Sequence, residues 1–145
     1  MSEARSKKPA KKILKLAYLG VPPIMNDLYS YIEERGAKVV FNEVQREFAF
    51  PRHAKAKNIF EQYLNYTYPY GIEFRIKNLE KDLADRDVQG IIHYTQKFCH
   101  RALDNIVLKE KLPYPLLNIE ADREAVLDER TKLRLDAFID MLGDM

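Results

Sequence analysis

Residues 13–23 read ILKLAYLGVPP: a nearly unbroken apolar run over Ile13–Leu19, then Gly20-Val21-Pro22-Pro23. A strand with one wet face alternates, so a continuous run predicts a strand covered on both faces. The glycine and two prolines end it, because neither strand nor helix runs on through adjacent prolines. A buried strand that stops at a sharp loop is the opening of an α/β unit, and the neighbouring segments decide whether that reading holds.

They repeat the pattern. Leu28, Tyr31 and Ile32 before Arg35-Gly36 predict a short helix with a glycine stop. Ala37–Phe41 is the second expected strand. The segment 42–71 has weak periodicity and many aromatics, and it reads as a loop through Arg52, a helix over 54–66 and a turn at Tyr68-Pro69-Tyr70-Gly71. Its tyrosines at 63, 66, 68 and 70 are expected in the core before any pocket. Ile72, Ile76, Leu79 and Leu83 recur at offsets of four, seven and eleven, one stripe of a helix. Val88–Tyr94 (VQGIIHY) is the third strand. A helix follows over 99–111 with Leu103, Ile106 and Val107 inward, then an edge strand over Pro113–Ile119. Asp128 is placed to cap a last helix that buries Leu135, Phe138, Ile139 and Leu142. The expected fold is α/β: a Rossmann-like or flavodoxin-like three-layer domain on a four-stranded parallel sheet of order 2-1-3-4.

The 145 residues suffice for one domain, expected over 13–145, behind a disordered basic leader over 1–12. Formal charge is +2, and Arg5, Lys7, Lys8, Lys11, Lys12 and Lys15 stand against Glu3 at that end. A solvated terminus explains the run better than an anionic partner. Elsewhere the charges are mixed with no basic stripe, so neither nucleic acid nor a membrane is an expected partner. A single cysteine, Cys99, forms no intramolecular disulfide, and no segment has signal-peptide or membrane-span character. The expected location is the cytoplasm, where Cys99 stays reduced.

Ligands of open parallel sheets bind beyond the carboxyl ends of the strands, where the strand order reverses. Two loops are expected to meet there: Gly20–Pro23 after the first strand and Thr95–His100 (TQKFCH) after the third. Cys99 falls in that crevice at an expected helix start, where the dipole favours a thiolate. The competing reading is a small buried apolar residue. A cysteine nucleophile is disfavoured, because His100 adjoins Cys99 on the helix and diverges from it, while His93 sits in a strand. The only other histidine is His53. Gly20–Pro23 is no G-x-G-x-x-G, and its prolines remove donors that a pyrophosphate needs, so nucleotide readings are rejected. Glu43, Glu47, Asp122 and Asp128 are loop carboxylates without acid/base spacing.

Five segments in order then carry a resemblance: Leu16–Pro23 (LAYLGVPP), Asn42–Phe50 (NEVQREFAF), Gln62–Tyr70 (QYLNYTYPY), Gly90–Arg101 (GIIHYTQKFCHR) and Leu127–Phe138 (LDERTKLRLDAF). Together they resemble the C-terminal half of the D-component of 2-hydroxyacyl-CoA dehydratases, the family that also holds benzoyl-CoA reductase subunits. The likeness covers 13–142, and H-Y-x-Q-x-F-C-H-R is its most specific part.

The resemblance implies reductive radical dehydration of a 2-hydroxyacyl-CoA to an enoyl-CoA, on a 4Fe–4S cluster held between two Rossmann-like halves. It implies an ATP-dependent activator protein as electron donor, an acyl-CoA substrate, and a dehydratase partner subunit or N-terminal half. It makes Cys99 a cluster ligand, with Gln96 and Phe98 around it and Gly20, Pro22 and Pro23 on the facing side of the crevice.

Two departures qualify this. The basic leader stands where the family's N-terminal half is expected, so two cluster cysteines are missing and Cys99 must borrow ligands from another chain or domain. Glu120–Ala125 replaces a stretch where the family tends to have glycines and a proline. The alternative function is therefore a non-catalytic binding or interaction module derived from that family. A flavodoxin-like small-molecule binder rests on the fold alone.

Overall fold

The computed structural model describes residues 13–49, 55–64, 71–122 and 125–145, and the leader expected over 1–12 lies outside them. Strand β1 (Leu14–Gly20) is buried over its last five residues, as the unbroken apolar run predicts, because helices cover both of its faces. Its side chains alternate between two apolar clusters. Leu16 and Tyr18 pack with helices α1 (Leu28–Glu34) and α6 (Glu129–Gly143). Ala17 and Leu19 pack on the opposite side with α4 (Ile72–Ala84) and α5 (Asp104–Lys111). Strands β2 (Ala37–Asn42), β3 (Gly90–Gln96) and β4 (Leu116–Ala121) complete an all-parallel sheet of order β2-β1-β3-β4. The chain is the expected three-layer α/β fold, with its switch point between β1 and β3. Among the described residues no helix is long and apolar enough to cross a membrane.

Local chemistry accounts for most of the boundaries. Gly36, at φ 78, lets the chain turn from α1 into β2. The Ile72, Ile76, Leu79 and Leu83 stripe faces the sheet, with the last three buried. Asp128 caps α6 by accepting the Thr131 amide at 2.6 Å, and Leu135, Phe138, Ile139 and Leu142 are buried below it.

Three expectations need correction. The segment after β2 is not a loop: α2 (Glu43–Phe48) starts at once, because Asn42 ends β2 and its Oδ1 accepts the Gln45 amide as an N-cap. The helix expected over 54–66 is present among the described residues as the shorter α3 (Ile59–Leu64), which buries no side chain. Tyr63 there is 73% exposed and so does not join the core. Tyr66, Tyr68 and Tyr70 lie outside the described residues, as does all of the expected turn except Gly71, which caps α4. The expected helix over 99–111 is split into a 3₁₀ turn (His100–Ala102) and α5. The tighter turn rotates the following residues, so Leu108 is buried and Val107 half-buried while Leu103 and Ile106 face solvent.

Candidate functional site

The loops after β1 and β3 leave neighbouring strands at the same end of the sheet. The Val21 amide donates to the Tyr94 carbonyl at 3.2 Å, and the Tyr18 hydroxyl donates to the Val21 carbonyl at 2.6 Å. Gly20 is at φ 106, and a Cβ there would stand 1.9 Å from the Tyr94 carbonyl oxygen. Only glycine allows so close an approach of the two walls. Pro22 is exposed on the first wall and Pro23 is half-buried.

On the second wall a tight turn carries the chain from Gln96 to Cys99, closed by the Cys99 amide donating to the Gln96 carbonyl at 3.0 Å. Gln96 and Phe98 are exposed, Phe98 by 96% and with φ 63, an uncommon conformation for an aromatic residue. Cys99 is half-buried, so it is not the small core residue of the competing reading. Its carbonyl accepts the Ala102 amide at 2.9 Å as the 3₁₀ turn begins. Cys99 thus precedes a three-residue 3₁₀ turn rather than the α-helix expected there. Lys97 reaches Asp122 at the end of β4, with Nζ to Oδ2 at 3.6 Å. The stretch after β4 joins the loop after β1 through a parallel bridge of Met25 with Ala125, and Asp27 accepts the Leu127 amide at 2.8 Å.

Beneath the crevice lies a buried ion group. Arg75, 3% exposed on α4, donates through Nε and Nη2 to the two Glu43 oxygens at 2.6 Å each. Its Nη1 donates to Asp104 Oδ2 at 2.7 Å, at the start of α5. Glu43 Oε2 also accepts the Gly20 amide at 3.1 Å. Burial opposes ionisation of Glu43, but the Arg75 guanidinium and the Gly20 N–H outweigh it and hold the carboxyl below its ordinary range. Arg75 in turn keeps its charge against burial because two carboxylates face it.

His93 points to the same side of the sheet from β3, with Nδ1 3.3 Å from Asn105 Oδ1. Its Nε2 and the Thr95 hydroxyl are buried without a hydrogen-bond partner among the described residues. Burial, with the Arg75 charge beside it, pushes the His93 imidazole down to about 4. His93 is then neutral in the fold while the unfolded chain takes up its proton near pH 6.5, so the unfolded state binds more protons between those values. Stability is expected to fall by roughly 2 kcal/mol as pH drops from about 6.5 to about 4.5, with no His93 contribution above that window. Urea unfolding at stepped pH checks this, and H93N should flatten that part of the curve.

The donor set does not fit a whole iron–sulfur cluster. Such a cluster is held by cysteine thiolates, about four of them. Cys99 is the chain's one cysteine, and among the described residues no group of three or more His, Cys, Asp or Glu side chains is arranged to hold a metal ion. His53 lies outside the described residues, and His100 is exposed.

Arg75, Asp104 and Asn105 are not singled out by the sequence, and Glu43 enters there only as a loop carboxylate. A signal is present nonetheless: Arg75 is three residues after Ile72 and four before Leu79, inside the apolar stripe of α4. Glu43 and Glu47 are likewise one helical turn apart, and both are buried. Asp122 and Asp128 serve as an ion-pair partner and a helix cap.

The fold and crevice define an open parallel-sheet α/β protein with its candidate site at the switch point and a cysteine on one wall. A family model for the 2-hydroxyglutaryl-CoA dehydratase D-component matches residues 1–142, and the chain belongs to that family. No curated protein matches it.

Proposed function

We propose that the chain is a component of a 2-hydroxyacyl-CoA dehydratase-type enzyme, the class that removes water reductively from a 2-hydroxyacyl-CoA to give an enoyl-CoA. The family match over residues 1–142 carries this reading, and the half-buried Cys99 on the crevice wall agrees with it. Cys99 supplies one thiolate toward a 4Fe–4S cluster, which would provide the single-electron chemistry, and a partner subunit or further domain supplies the other ligands. Gly20, Pro22 and Pro23 form the facing wall, while Gln96 and Phe98 shape the side that carries the thiol. An ATP-dependent activator protein is the electron donor, and the cytoplasm keeps the thiol reduced.

The test is anaerobic loading with iron and sulfide, followed by absorbance and EPR. The chain alone is expected to stay colourless. Co-expressed with a dehydratase-family partner subunit, it should gain a cluster whose signal C99A abolishes, and should then turn over 2-hydroxyglutaryl-CoA or a related acyl-CoA. A cluster unaffected by C99A would remove Cys99 from the ligand set.

The alternative is a non-catalytic module derived from the same family, motivated by the single cysteine of the chain. Failure to load a cluster in every pairing would decide for it.

A further inference from the structure

The crevice has two walls from different parts of the chain, and one buried side chain touches the supports of both. Glu43 holds the first wall, since its Oε2 accepts the Gly20 amide at 3.1 Å. Asp104 supports the second, as the first residue of α5, which follows the 3₁₀ turn His100–Ala102 that Cys99 caps. Arg101 in that turn also reaches Asp104, with Nη1 to Oδ2 at 3.5 Å. Between them stands Arg75, with two nitrogens on Glu43 and the third on Asp104.

We propose that Arg75 is a positioning residue, whose guanidinium spans the two supports and fixes the Cys99 loop against the Gly20 loop. The guanidinium suits this because it is planar and donates in fixed directions, so it holds two acceptors at a set angle. A lysine ammonium at the same place keeps the charge but loses the fork. The apolar contacts of the sheet face need no charge here, and each buried ion raises the desolvation cost, so the group's cost is offset by geometry rather than by bulk stability. The consequence for Cys99 rests on the dehydratase reading above; the mechanical coupling of the walls does not.

The experiment compares the full chain with D104N, D104E and R75K, and uses D128A as reference, because Asp128 caps α6 on the opposite face of the sheet. Two quantities are read at equal urea-unfolding free energy: the rate of Cys99 alkylation by iodoacetamide and amide exchange in the peptide containing Gly20. D104N and R75K are expected to raise both at least three-fold over D128A, and D104E to restore them toward wild type. Equal rates in D104N and D128A, or a change at Cys99 with none at Gly20, would overturn the coupling. Loss of folding in both D104N and R75K would make the ion group merely structural and overturn it as well. None of these readouts needs a cluster, substrate or partner. A failed reconstitution therefore leaves the coupling standing, and a failed coupling leaves the dehydratase reading standing.

Discussion

Replacing Gly20 with alanine is expected to cost at least about 3 kcal/mol, a large share of the roughly 5–15 kcal/mol by which a single domain is stable. Two independent effects add. The backbone at φ 106 lies in a region that L side chains rarely adopt. The new Cβ would also fall 1.9 Å from the Tyr94 carbonyl oxygen. That oxygen belongs to the backbone of a central strand and accepts the Val21 amide, so it cannot rotate aside as a side-chain tip can. Relief requires β1 and β3 to part at the mouth of the crevice. Urea unfolding followed by circular dichroism measures the loss. A cost below about 1 kcal/mol would mean that the two walls separate easily and that their close approach is not built into the fold.

R75M is expected to cost about 3–5 kcal/mol at neutral pH, the range for breaking a buried ion pair by removing one partner. Methionine fills similar space, so the loss comes from charge rather than from a cavity. Glu43 would be left buried with only the Gly20 N–H among its present partners. The pH dependence separates this account from simple mispacking. In the wild type the Glu43 carboxyl is held below its ordinary range, so its stabilisation is present at neutral pH and is lost as pH falls through that depressed value. In R75M burial is opposed chiefly by the Gly20 N–H, a weaker partner than the guanidinium, so the folded Glu43 takes up a proton more readily than the unfolded one, and the variant gains relative stability as pH falls. The gap between the two proteins should therefore narrow from pH 7 toward pH 5. The double variant E43Q/R75M should recover part of the loss, because it removes both charges together. A gap independent of pH would assign the loss to packing.

Much of this fold is legible in the amino-acid sequence. The unbroken run over Ile13–Leu19, the stripe from Ile72 to Leu83 and the capped helix after Asp128 all depend on local periodicity and capping, and each stands where those signals place it. The elements that differ from expectation lack such signals. Helix α2 has six residues, too few to display a period, and α3 buries nothing, so neither leaves an amphipathic pattern. Leu103 and Ile106 are turned outward by a 3₁₀ turn that shifts the phase of α5, and composition does not reveal a phase shift.

The sequence by itself determined the layer order, the strand order 2-1-3-4 with its switch point between the first and third strands, and the place of the single cysteine just after the third strand. These follow from hydrophobic period, loop chemistry and the handedness of crossovers, which act over neighbouring residues. Only the tertiary structure decided what holds the crevice together. Gly20, Glu43, Arg75 and Asp104 come from four separate elements, and nothing local marks them as partners. Their meeting is fixed by the packing of α2, α4 and α5 against one end of the sheet. There burial makes an unpaired charge so costly that each one is found with its partner.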